Sequence, residues 1–92
     1  MIMSFKHKGL AELFKTGSAR KVGAKLAARL KMILAMLNAA TQPGQLNAPG
    51  LRLQPLKGKP AGRYAVWVDE NFRVICRFEA ANAVEVDYGD YH

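Results

Sequence analysis

The sequence predicts an α+β fold, with two N-terminal helices packed on a mainly antiparallel sheet. Three observations carry that expectation. Apolar residues in the first half recur at helical spacing. From Leu51 onward they recur at every second residue. The strand candidates are joined by turns too short for parallel crossovers. With 92 residues there is room for one domain, spanning 1–92, and not for two.

The opening MIMSFK alternates enough to form a short strand. A first helix is predicted from Lys8 to Lys15, with Leu10, Leu13 and Phe14 as its apolar face, and Thr16-Gly17-Ser18 as its stop. A second helix is predicted from Lys21 to Ala40. Leu26, Leu30, Ile33 and Leu37 repeat at i, i+4, i+7 and i+11, Val22, Leu34 and Met36 widen that stripe, and Pro43-Gly44 closes it.

Leu51-Arg52-Leu53 opens the first strand of the second half, which ends in the PLKGKPAG loop. Arg63 to Val68 reads as the second strand, and Asp69-Glu70-Asn71 as a hairpin connection. Phe72 to Glu79 is the third, with Phe72, Val74, Cys76 and Phe78 on one face and Arg73, Ile75 and Arg77 on the other. After the turn Ala80-Ala81-Asn82, Ala83 to Tyr88 is the fourth, where Val84, Val86 and Tyr88 alternate with Glu85 and Asp87.

Fourteen Lys and Arg against seven Asp and Glu give a net charge of +7, which points to a polyanionic partner such as nucleic acid, or to a membrane surface. The excess lies in residues 1–46, where eight basic groups face Glu12 alone, while residues 47–92 balance. No apolar run reaches the length of a membrane span, and the N-terminus lacks a signal-like apolar stretch. One cysteine allows no internal disulfide, and with two His it disfavours a dedicated zinc site. The expected setting is the cytoplasm.

Several residues are candidates for chemistry. Lys21, Lys25 and Arg29 form a row beside the apolar stripe of the second helix, which is either a solvated face or a phosphate-contacting ridge. Arg73 and Arg77, with Lys57 and Arg63 on neighbouring segments, can cradle a phosphodiester backbone through planar guanidinium forks. The competing reading pairs the two arginines with Glu85 and Asp87 across the strands. Cys76 reads as an inert core thiol, His7 as exposed, and Trp67 as a core or partner contact more than a base-stacking platform. Asp90, Tyr91 and His92 end the chain with a carboxylate, a phenol and an imidazole directly after a strand. Negative neighbours favour the imidazolium, which suits a proton donor near neutral pH. An extended chain sets Asp90 and His92 on one face and Tyr91 on the other.

The chain resembles the HigB (host-inhibition-of-growth) toxins of the RelE/ParE toxin superfamily. The segments that carry the resemblance are SFKHKGLAELF, LNAPGLRLQPLKG, FRVICRF and the terminal VDYGDYH, in order and at matching spacing over essentially the whole chain. The resemblance implies a RelE-like microbial ribonuclease fold with a curved sheet, and a ribosome-dependent endoribonuclease that cuts mRNA in the A site. It implies a HigA-type helix-turn-helix antitoxin, operator DNA bound through the antitoxin complex, and no metal or organic cofactor. Lys57 of PLKG and Arg73 match the family's active-site cations, and Asp90, Tyr91 and His92 its terminal catalytic segment. Gln54 stands where the family commonly has a His, and Gln cannot exchange a proton near neutral pH. Phe72 stands where a Trp is common. On this reading Lys57, Arg73, Asp90, Tyr91 and His92 are catalytic, and Lys21, Lys25, Arg29, Gln54, Arg63 and Arg77 bind RNA or the ribosome. The alternatives are a ParE-like gyrase poison of the same fold, a catalytically weakened toxin acting through antitoxin and operator binding, and a non-enzymatic nucleic-acid or ribosome-binding module.

Overall fold

The computed structural model describes residues 1–58 and 61–90. Helix α1 spans Lys8–Thr16. Its start is capped by His7, whose Nδ1 accepts from the Leu10 N–H at 3.1 Å. Its end is set by Gly17, which adopts φ +80° and donates its N–H to the Leu13 carbonyl at 2.9 Å. Leu10 and Leu13 are buried as the pattern predicts. Phe14 is not: it lies on the surface against Phe5, with ring centroids 5.7 Å apart.

Helix α2 spans Ala27–Ala39, six residues later in its start than the sequence pattern suggests. The reason is local. The N–H groups of Val22 and Gly23 both bond the Ala19 carbonyl, and Gly23 then takes φ +89°, which ends that turn and prevents helix from running through it. Leu30, Ile33, Leu34 and Leu37 are all buried, and Leu26 packs against them from the preceding turn. A 3₁₀ turn at Pro43–Leu46 follows and buries Leu46.

The strands are β1 (Gln54–Pro55), β2 (Arg63–Trp67), β3 (Arg73–Glu79) and β4 (Asn82–Gly89). Across the described residues they form one antiparallel sheet in the order β1-β2-β3-β4. The first strand begins at Gln54 and not at Leu51, because Leu51 is a buried turn residue and Arg52 takes φ +47°, outside the extended region that regular strand pairing needs. The β2–β3 connection is the expected one: Asp69 Oδ1 accepts from the N–H groups of Asn71 and Phe72 at 2.9 and 2.8 Å. The opening residues run parallel to β4 through isolated bridges, Ile2 to Ala83 and Phe5 to Val86, so MIMSFK extends the sheet without forming a regular strand.

Two faces result. Val66, Val74, Cys76, Ala83 and Val86 pack with the leucines of both helices in one cluster. Each fully buried aliphatic side chain there contributes roughly 1.5–3 kcal/mol. The other face is turned away from the helices. Register puts Trp67, Arg73 and Gly89 in one row across it, then Ala65, Ile75 and Asp87 with Gln54 beyond, then Arg63, Arg77 and Val84.

The alternation expected along β4 fails at one residue. Ile75 pairs with Asp87 but Arg77 pairs with Val84, so β4 carries an extra residue, and Glu85 sits there at φ +53°. The bulge moves Val84 off the face of Val86 and places Ala83, fully buried, in the core instead.

Candidate functional site on the open face of the sheet

Arg73 occupies one end of β3, between Trp67 and Gly89. Its Nη1 donates to the carbonyls of Asp69 and Phe72 at 2.6 and 2.9 Å. Carbonyls fix the guanidinium without cancelling its charge. Gly89 lies directly opposite, so the chain that leaves β4 begins with Asp90 beside this cation. Asp90 is exposed. Tyr91 and His92 lie outside the described residues. Lys57 follows β1 on the far edge of the sheet and is exposed, as is Gln54, whose register partner is Ala65.

Arg77, four residues along the same strand, is in a different state. It donates to Glu85 at 2.6 Å and to Glu79 at 3.0 Å. The cross-strand pairing weighed from the sequence therefore holds for Glu85, with Glu79 as the second acid in place of Asp87. The Arg77 hydrogen bond holds the Glu85 carboxyl below its usual range, with smaller effects from Lys6 and Arg63. Arg63 is the register partner of Arg77.

The helical row of cations does not exist. Lys21 and Lys25 precede α2. Arg29 is turned inward, its Nη2 donating to the carbonyls of Gly50 and Trp67 at 2.9 and 3.1 Å. Two guanidiniums pack on the Trp67 ring, Arg29 at 5.4 Å and Arg52 at 4.6 Å from its centroid. Arg29 is thus a tertiary anchor for the start of α2, and no ridge is formed. Lys21 and Lys25 nevertheless reach the same end of the sheet, where they line a groove with Asn71, Phe72, Tyr88 and Gly89.

His7 also lines that groove, and it is not the exposed side chain the sequence suggests. It is half-buried, with its ring edge-on to Tyr88 at 5.5 Å. Tyr88 in turn stacks on Phe72 at 5.2 Å, and burial, with Asp69 nearby, raises its phenol. The sequence gives no signal for this, because the His7 cap and its aromatic contact are both set by the fold. Cys76 is buried on the helix side, and desolvation pushes its thiol up to about 12, which makes it the inert thiol expected. Among the described residues no group of three or more His, Cys, Asp or Glu is arranged to hold a metal ion. No helix among them is long and apolar enough to cross a membrane.

Comparison with known proteins adds to this geometry. The family model for HigB-like toxins, described as the RelE-like toxin of the type II toxin-antitoxin system HigB, matches residues 3–92. Over 92 residues the chain is 39% identical to the endoribonuclease HigB of Proteus vulgaris, with both proteins covered over their full length.

Proposed function

This chain belongs to the HigB-like toxin family of type II toxin-antitoxin systems, and from that membership we propose that it is an endoribonuclease toxin that cleaves translated mRNA in the ribosomal A site. The observation that carries the reading is the register of Arg73 with Gly89. It sets Gly89, the residue before Asp90, opposite a guanidinium that is oriented by carbonyls, which supports a role for that cation toward a phosphate.

The proposed chemistry needs no covalent enzyme intermediate. The RNA 2′-oxygen attacks the adjacent phosphorus, the bond to the 5′-oxygen of the next nucleotide breaks, and the products are a 2′,3′-cyclic phosphate and a 5′-hydroxyl. Negative charge gathers on the non-bridging oxygens, where Arg73 and Lys57 stabilise it. One group takes the 2′-proton and another protonates the leaving oxygen. His92, oriented by Asp90, is the main proton-transfer group in this reading, and Tyr91 contacts the phosphate or a base. Gln54 cannot replace a histidine in either transfer, which concentrates that work on the terminal segment. Lys21 and Lys25 serve docking on RNA. The antitoxin partner is of the HigA type, with a helix-turn-helix domain, and operator DNA is bound through the complex.

Primer extension on a translated mRNA after induced expression tests the reading. The wild-type chain is expected to give discrete breaks, and both Arg73→Ala and a variant lacking residues 90–92 are expected to give none while keeping a native circular dichroism spectrum. Undiminished cleavage by both folded variants overturns the assignment. DNA damage without mRNA breaks points to a gyrase poison instead.

A further inference from the structure

On the open face, farther along β3 from Arg73, the side chains of Lys6, Arg63, Arg77, Glu85 and Asp87 surround Ile75 in a narrow cleft. Three features of this cleft are unusual together. The Nε of Arg63 is buried and, among the described residues, has no hydrogen-bond partner. A buried donor without a partner has given up its hydration and gained nothing in exchange. Glu85 is held at φ +53°, a backbone conformation that strains a non-glycine residue. Its N–H is fixed by Ser4 Oγ at 2.8 Å, and its carboxylate lies on Arg77 at 2.6 Å. The cleft therefore sets three cations against Glu85 and Asp87: Arg77 is held by Glu85 from a strained position and by Glu79 along its own strand, while the Arg63 guanidinium keeps an unused donor.

We propose that this cleft is a second phosphate subsite for the RNA strand, with the Glu85 carboxylate as a resident stand-in that the phosphodiester displaces. The proposal rests on the reading of the chain as an RNA-cleaving toxin, and extends it to a site that does no chemistry. A phosphodiester carries one negative charge, as the carboxylate does, and Arg77 accepts either in its fork. The tetrahedral phosphate spreads its oxygens so that one can reach Arg63 while another stays on Arg77, whereas the planar Glu85 carboxylate, tethered to β4, bonds Arg77 and leaves the Arg63 Nε unmet. Spacing fits a continuous strand of RNA. Arg73 and Arg77 are four residues apart on one face of β3, roughly 13 Å. Glu85 makes binding conditional, since the subsite opens only to a ligand that outcompetes the ion pair.

The alternative is a purely structural ion pair, and the two differ in sign. Binding is measured by fluorescence anisotropy on a 2′-O-methyl RNA oligonucleotide, which the protein cannot cleave, over a series of salt concentrations. Glu85→Gln is expected to tighten binding about 3- to 10-fold at low salt and to steepen the log–log salt slope by about 0.7, the value for one further phosphate neutralised on a single strand. Arg63→Gln is expected to weaken binding several-fold, to flatten the slope by about the same amount, and to leave the urea midpoint unchanged or raised, since an orphaned donor is removed. Glu70→Gln makes the same charge change on the exposed β2–β3 turn and controls for net charge. Equal tightening by Glu70→Gln and Glu85→Gln overturns the subsite, as does wild-type affinity in both Glu85→Gln and Arg63→Gln. Because the oligonucleotide is uncleavable, absence of mRNA breaks in the primer-extension experiment leaves these outcomes readable, and failure here leaves the Arg73 experiment standing.

Discussion

Two arginines share one face of one strand, yet their surroundings differ. Arg73 is held by the carbonyls of Asp69 and Phe72, which orient it and leave its charge intact. Arg77 is held by Glu85 and Glu79, which orient it and neutralise it. Residue type and strand face are the same for both, so neither sets a guanidinium's role. What sets it is whether the neighbours that fix it are dipoles or ions. A guanidinium fixed by dipoles stays ready to stabilise developing negative charge, while one fixed by ions must first release its partner.

The largest expected effect separates the two directly. Arg73→Ala is expected to lower the mRNA cleavage rate about 100-fold or more, the usual scale for removing one preorganised donor to a developing oxyanion. Arg77→Ala is expected to cost only several-fold, all of it in binding. Comparable losses in both would erase the distinction. Cleavage is read with purified ribosomes and a defined mRNA, and the comparison requires both variants to remain folded.

That requirement is checked from the opposite face of the same strand. Cys76 is buried against the helices with its thiol pushed up to about 12. In the folded protein it is expected to resist a disulfide reagent at pH 8, so that labelling follows global unfolding. Arg73→Ala and Arg77→Ala should label at nearly the wild-type rate. Cys76→Ser, which buries a hydroxyl in place of the thiol, is expected to cost roughly 1–3 kcal/mol by urea denaturation. A faster-labelling Arg73→Ala would show that its lost activity reflects lost fold.

The face division itself is legible in the sequence, because FRVICRFE alternates and alternation fixes which side chains share a side. So is the stripe of Leu30, Ile33 and Leu37, since all three sit one turn apart and all three are buried. The failures have a common cause. Gly23 ends a turn bonded to Ala19, Arg29 anchors to carbonyls 21 and 38 residues away, and the Glu85 bulge is fixed by Ser4 from the far end of the chain. Each is decided by contacts that a local pattern does not encode. The candidate site divides in the same way. Pairing of Arg73 with the end of β4 follows from two adjacent strands and a tight turn, whereas Arg63 and Glu85 become neighbours only through the register and its break.

The smallest expected effect is in acid, and it sharpens the ionic half of the comparison. The Arg77 hydrogen bond lowers the Glu85 carboxyl from its ordinary value of 4.5, although both side chains are partly open to solvent. A carboxyl whose folded value lies below its unfolded one contributes stability that is fully present above pH 4.5, and that is lost as pH falls through the folded value. Wild type is therefore expected to be slightly more stable than Glu85→Gln at pH 7, and that margin is expected to close as the pH is lowered below 4.5. Glu12, lowered chiefly by its hydrogen bond from Arg20, gives a slope of the same sign in both proteins and cancels in the difference. Urea midpoints at matched ionic strength measure both. A margin between wild type and Glu85→Gln that persists unchanged into acid would mean that Glu85 stabilises the fold by packing at the bulge, and that the charge on Arg77 is not what holds it there.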